Sequence, residues 1–304
     1  MPDHLTVLWR GSLESCNYGC DYCPFAKSSD DRVALARDKA ALDRFVEWAL
    51  ARPYRVSVLV TPWGEALIRG YYRDALIRLS HAEQIGTIAI QTNLSCSVDW
   101  IDASDLSRLA FWITYHPGET PRDAFLEKIS KLNEQNARYS VGIVGLKEHF
   151  EEIVLLRRDL PGSAYLWVNA YKRAQNYYDA NDIDFLSSID PLFELNLRNY
   201  ESGGRSCWAG ETAISVDADG NARRCHFLKE TLGNIFDEDF ESVLKPRACT
   251  AESCRCHIGY QHIKTLRFKE LYGSGLLERR PEHPGTIARA QEHLSAFDGG
   301  DGDG

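Results

Sequence analysis

The segment Ser15-Cys16-Asn17-Tyr18-Gly19-Cys20-Asp21-Tyr22-Cys23-Pro24 follows closely on Leu5 to Arg10, a mostly apolar run that reads as a strand. Three thiols spaced C-x-x-x-C-x-x-C on one loop can hold three irons of a cubane cluster and leave the fourth iron open to a non-protein ligand. An open iron is what a catalytic cluster requires. A zinc knuckle would want a fourth protein ligand nearby, and a redox pair made of Cys20 and Cys23 would leave Cys16 idle.

Outward from this loop, short β-rich runs alternate with helical stretches. Strands are expected at Leu5 to Arg10, Val56 to Thr61, Thr87 to Gln91, Phe111 to Tyr115, Ser140 to Val144 and Tyr165 to Ala170. The intervening segments carry apolar residues at helical spacing, most clearly Leu42, Phe45, Val46, Ala49 and Leu50. Strand-helix units in series imply parallel strands with right-handed crossovers, and functional loops at the strands' C-terminal ends. The expected fold class is therefore α/β, with a partial (β/α)6 TIM-like barrel.

Composition narrows the function classes. The chain of 304 residues holds nine cysteines beside one methionine, and 35 basic against 44 acidic residues give a formal charge of −9. A field of that sign repels phosphate backbones, so no nucleic-acid partner is expected. No apolar run approaches a membrane span, and no secretory signal pattern precedes the triplet. No membrane association and a cytoplasmic location follow as expectations. In a reducing compartment, cysteines in odd number are expected as metal ligands or reactive thiols rather than as disulfides.

On these motifs the chain resembles the radical S-adenosylmethionine (radical SAM) superfamily, over roughly residues 4 to 175. The resemblance implies that Cys16, Cys20 and Cys23 bind a 4Fe-4S cluster whose open iron takes S-adenosylmethionine, with Tyr22 beside the adenine. Thr61-Pro62-Trp63-Gly64-Glu65 stands where the family has a Gly-Gly-Glu-like turn, so Gly64 and Glu65 are expected to receive the methionine amino group. Thr92 and Asn93 look like the family's Thr-Asn pair near the ligand. Gly142-Ile143-Val144-Gly145 looks like the G-x-I-x-G stretch whose backbone faces the adenine. His116 is placed to face ribose or substrate, and Asn169, Tyr171 and Arg173 at the end of the sixth strand are pocket candidates.

After about Asp190 the pattern changes. Thr212 to Val216 and Ala222 to His226 read as a hairpin around Asp217-Ala218-Asp219-Gly220-Asn221. A short helix at Phe240 to Leu244 and a helix from about Ile258 to Tyr272 follow. Cys207, Cys225, Cys249, Cys254 and Cys256 fall here, and C-x12-G-x4-C around the hairpin resembles the opening of the SPASM and twitch extensions, which bind auxiliary clusters. Five thiols minus the four of one cubane leave one spare, so a single auxiliary 4Fe-4S cluster is expected. A structural zinc site also takes four thiolates. Cys96 reads as a small buried residue.

The expected organisation is a barrel over 1-190, a cluster-binding extension (β-hairpin plus helix) over 191-273, and a C-terminal segment over 274-304 that ends in a frayed acidic, glycine-rich tail. The expected activity is reductive cleavage of S-adenosylmethionine to a 5′-deoxyadenosyl radical that abstracts hydrogen from substrate. With an auxiliary cluster to accept an electron, the outcome is oxidative: crosslink, thioether or dehydrogenation of a ribosomally made peptide. The alternatives are a small-molecule (sugar-like) dehydrogenase and a non-catalytic zinc or iron-sulfur scaffold. Only 15 residues precede the triplet, so a separate leader-peptide-binding protein is an expected partner. A flavodoxin- or ferredoxin-like one-electron donor is another. Glu211, Arg205 and Tyr171 are expected near the pocket.

Overall fold

The structure is a computed structural model that describes residues 2–25 and 28–282. The acidic tail and most of the 274-304 segment lie outside the described residues.

Strands alternate with helices in the first half of the chain. They run β1 (His4–Gly11), α1 (Arg32–Leu50), β2 (Arg55–Val60), α2 (Gly70–Ser80), β3 (Ile85–Thr92), β4 (Leu109–Tyr115), α3 (Arg122–Glu134), β5 (Arg138–Val144), α4 (Phe150–Asp159), β6 (Tyr165–Asn169) and α5 (Ala180–Ile189). In this half every expected strand end lies within two residues of the observed one. The strands β1 to β6 pair in sequence order and all parallel, the wound topology that right-handed crossovers generate.

Alternation along each strand sorts side chains between two cores. From β1, Leu5, Val7 and Trp9 face the helices, where the Trp9 and Phe45 rings stack with centroids 4.3 Å apart. Leu8 faces inward with Leu59, Ala89, Ala110, Trp112 and Trp167. The inward core is completed by Ile258 and Leu277 from the C-terminal part of the chain. Arg279, fully buried, lays its guanidinium 4.4 Å over the Trp167 ring. The barrel is thus filled below its mouth rather than open through its length.

The second half contains α6 (Phe193–Leu197), β7 (Tyr200–Glu201), β8 (Ser206–Cys207), β9 (Ala213–Asp217), β10 (Asn221–Arg223), β11 (Thr231–Asn234), β12 (Arg247–Ala248), β13 (Ser253–Cys254), α7 (His257–Tyr260) and α8 (Phe268–Tyr272). The hairpin forms, and its turn is held by Asp217, whose carboxylate accepts from the Asp219 and Asn221 amides at 3.0 Å. Its second arm ends at Arg223 rather than His226, because the Arg224 guanidinium turns to the carbonyls of Ala209, Arg247 and Ala248. The hairpin also has a place that its sequence did not announce. β9 pairs parallel with β1, so β11-β10-β9 continue the barrel sheet to nine strands.

The continuous helix expected from Ile258 to Tyr272 is instead broken into α7, a 3-10 turn at Lys264–Leu266, and α8. Arg267, in the left-handed region at φ 50, makes the second break. The break lets Tyr260, Phe268 and Tyr272 all set ring edges against the buried His257, which one straight helix could not do, since it would carry Tyr272 about 22 Å along its axis from His257. The short helix expected at Phe240 to Leu244 is a 3-10 turn, Phe240–Val243.

Gly142 on β5 lies directly opposite Trp167 on β6, and a Cβ there would stand 2.0 Å from the indole ring. The indole nitrogen donates to Ser140 Oγ at 3.0 Å, so the ring cannot swing away without losing that bond. Gly142→Ala is expected to destabilise the protein by about 1–3 kcal/mol through overpacking. Gly162→Ala, where a Cβ meets nothing within 4 Å, should stay within about 0.5 kcal/mol of the parent. Denaturant midpoints of the two variants check the contrast.

Candidate active site

The cysteine loop leaves the C-terminal end of β1 and is pinned on three sides. The Glu14 and Ser15 amides donate to Asp30 Oδ2 at 2.9 and 2.8 Å. Gly19 N donates to Glu119 Oε1 at 3.0 Å, tying the loop to the segment after β4. Glu65 N donates to Ser15 O at 3.1 Å. At this last contact the loop after β2 comes so close that a Cβ on Gly64 would sit 1.9 Å from Ser15 O, which only glycine permits.

Cys20 is buried, and Cys16 and Cys23 are half-buried. Burial pushes the Cys16 thiol up and the Cys20 thiol up to about 11, so a cation that bound them would have to displace protons. Cys16 Sγ accepts from Tyr18 N at 3.4 Å and from Asn93 Nδ2 at 3.7 Å. Cys20 Sγ lies 3.4 Å from His116 Nδ1. The Tyr22 hydroxyl lies 2.9 Å from the same nitrogen, with the two rings stacked at 9°. Burial lowers the His116 pKa to about 4, so the ring is neutral at ordinary pH. His116 therefore belongs with the cysteine loop.

Glu65 is wholly buried. Its Oε1 accepts from Leu67 N (3.0 Å) and Thr92 Oγ1 (2.7 Å), and its Oε2 from Asn93 N (2.6 Å). Desolvation raises its pKa while these donors lower it. Three donors leave one acceptor position on Oε2, so the carboxylate can serve an incoming cation and still join the loops after β2 and β3. Thr92 in turn accepts from Leu94 N at 2.9 Å.

Five expected residues stand apart from this cluster. Gly142 is filled by Trp167, and the Ile143 side chain lies in the helix-facing core. Asn169, at the end of β6, uses its carbonyl to accept from Gly145 N at 2.9 Å. Glu211 pairs with Lys264 at 2.6 Å, and Arg205 donates to Glu201 O at 2.7 Å. Cys96 is half-buried against the helix-facing core.

The second cysteine group comes from four short pieces of chain. Cys207 sits in β8 opposite Arg247, and Cys254 in β13 opposite Tyr200. Cys249 N donates to Arg205 O, Cys225 follows β10, and Cys256 caps α7. Burial, and then the charges of Cys225, Cys256, Cys249 and Cys207, push the Cys254 thiol up to about 12. Among the described residues no three His, Cys, Asp or Glu side chains converge tightly enough to hold a single metal ion.

Arg10 escaped the sequence reading. It is buried, donates to Thr61 Oγ1 at 3.3 Å, and stacks 3.8 Å over the Trp63 ring. Burial lowers its pKa to about 10, and the nearby Cys256 opposes that shift. Trp63 also packs against Phe25 (4.6 Å) and His226 (5.7 Å), so aromatic side chains run from the first cysteine loop to the second group. The available signal was a lone cation at an inward position of an otherwise apolar strand.

The chain matches no family model and no curated protein sequence. Among solved structures, it is similar to Streptococcus suis SuiB at 15% identity and TM-score 0.52, over 80% of this chain and 66% of SuiB. It is similar to anSMEcpe with bound AdoMet at 12% identity and TM-score 0.52, over 96% of both chains. The form of anSMEcpe with AdoMet and the Cp18Cys peptide matches at 13% identity and TM-score 0.50, over 97% of this chain and 99% of that one. The chain has the fold of the radical S-adenosylmethionine enzymes.

Proposed function

We propose that the protein is a radical S-adenosylmethionine enzyme that oxidatively modifies a ribosomally made peptide, by crosslink, thioether or dehydrogenation. The observation that carries this reading is the Cys16, Cys20 and Cys23 loop at the C-terminal end of β1, walled by Gly64, Glu65 and Asn93. The fold it sits in is shared with a structure that holds AdoMet and a peptide. When bound, the cluster and S-adenosylmethionine supply one electron and a 5′-deoxyadenosyl radical able to take hydrogen from an unactivated carbon.

The chain's own residues bind, orient and exclude water. Cys16, Cys20 and Cys23 would hold the 4Fe-4S cluster, with Tyr22 and His116 stacked against the loop. Gly64 lets backbone approach the ligand, and the remaining acceptor position on Glu65 suits an ammonium group. Thr92 and Asn93 keep that carboxylate in place. The filled barrel interior keeps water from reaching the site from below. The backbone at Gly142 and Ile143, with Asn169, would line the far side. Four of Cys207, Cys225, Cys249, Cys254 and Cys256 would hold an auxiliary 4Fe-4S cluster in a twitch- or SPASM-like extension, a group that would supply a one-electron acceptor. An external flavodoxin- or ferredoxin-like donor and a leader-binding protein complete the system.

Two measurements test the chemistry. Anaerobically reconstituted protein should carry about eight irons with matching sulfide. Replacing Cys16, Cys20 and Cys23 together by alanine should lower this to about four irons, keep the circular dichroism of the fold, and abolish formation of 5′-deoxyadenosine. Retained cleavage in that variant refutes the assignment. Gly64→Ala, which drives a methyl group into the Ser15 backbone, should lose cleavage by at least about tenfold, with iron retained by the second group.

A further inference from the structure

The loop after β6 and the loop between Cys254 and Cys256 enclose a cleft of about 750 Å³. Its charged lining residues are Lys172, Arg173 and Arg255, and among the described residues no carboxylate lines it. In a chain of formal charge −9 this is a local reversal of sign, the arrangement that draws an anionic ligand to one place.

The three cations have different work. Lys172 Nζ donates to the Arg198 and Arg255 carbonyls at 2.7 and 2.8 Å, and Arg255 Nη2 donates back to Lys172 O at 2.7 Å. This reciprocal pair joins the two loops and occupies the ammonium. Arg255 keeps further N–H groups, and it is exposed. Arg173 is also exposed and has no hydrogen bond or ion pair among the described residues. Two guanidinium forks are thus left facing a polar cleft, and a guanidinium fork matches a carboxylate in two-point geometry.

The rim is already fixed. The Tyr178 hydroxyl bridges Gly145 O (2.6 Å) and Tyr171 N (2.8 Å), and the Tyr177 hydroxyl accepts from Lys147 N at 2.9 Å. A ligand entering a fixed rim loses less affinity to ordering of the site. Gln175, Asn176 and Asn199 add side-chain amides, which can both donate to and accept from a peptide backbone. The volume exceeds what one amino acid would fill, and Arg255 stands between two of the cysteines of the second group.

We propose that this cleft binds an acidic segment of the substrate peptide, with Arg173 and Arg255 receiving its carboxylates beside the second cysteine group. The assignment rests on the peptide-modifying reading, and it names the class of peptide. Arg173 is a specificity-determining residue here, because no other described residue holds it.

The test uses the full chain, purified anaerobically, with a fluorescein-labelled Glu-rich peptide, its Gln counterpart and fluorescence anisotropy. The Glu peptide should bind at least about tenfold more tightly than the Gln peptide, with affinity falling as salt rises. Arg173→Glu should remove that preference, and Arg173→Lys should restore part of it, with circular dichroism and iron content of both variants matching the parent. Free glutamate at equal carboxylate concentration should not displace the peptide. Equal binding of the two peptides, an unchanged preference in Arg173→Glu, or displacement by free glutamate overturns the proposal. A protein that cleaves S-adenosylmethionine but binds both peptides alike refutes the cleft assignment alone. A protein that prefers the Glu peptide but never forms 5′-deoxyadenosine refutes the chemistry alone.

Discussion

A buried carboxylate, Glu65, holds the mouth of the barrel together. Glu65 is charged only at a large desolvation cost, and its three donors offset that cost. They come from two different strand ends. The Glu65 amide meanwhile reaches Ser15 O in the cysteine loop, and Asn93, whose amide the carboxylate fixes, reaches back to Cys16 Sγ. The loops after β1, β2 and β3 are closed into one circuit, and the removal of any member would leave a buried polar group unmet. The position of the first cysteine loop follows from that circuit rather than from the loop's own conformation.

His116 and Arg10 extend the same logic. Both are titratable groups taken out of water, and both have lowered pKa values. The consequences differ. The imidazole loses its charge and stays a neutral partner for Cys20 and Tyr22, whereas the guanidinium keeps its charge and spreads it over the Trp63 face. One cation is thereby held between two thiol clusters, where the thiolates required for metal binding would need compensation.

Much of this was legible in the sequence. The triplet and the six parallel strands were, because spacing and alternation are local signals that survive without knowledge of partners. The double use of Glu65 was not, since a carboxylate after a strand looks the same whether it faces a ligand or joins two loops. The break at Arg267 was hidden because apolar residues from Ile258 to Tyr272 fit a helix locally, and only their common neighbour His257 forces the bend. The pairing of β9 with β1 was hidden for a related reason: a hairpin announces its own turn, and the strand it docks against lies about 200 residues away in sequence.

That docking makes β1 an interior strand, with β2 along one edge and β9 along the other. The first cysteine loop leaves the C-terminal end of β1, and β10, two strand positions over and antiparallel, starts near that level and runs back toward Cys225. At about 4.8 Å per strand, the lateral offset between β1 and β10 is set by hydrogen-bond ladders. The hairpin that leads to Cys225 is therefore anchored to the strand that leads to the first cysteine loop by ladders and not by a linker. A fragment that stopped before β9 would also carry an unpaired and strongly apolar edge along β1, the kind of edge that recruits a strand from another molecule.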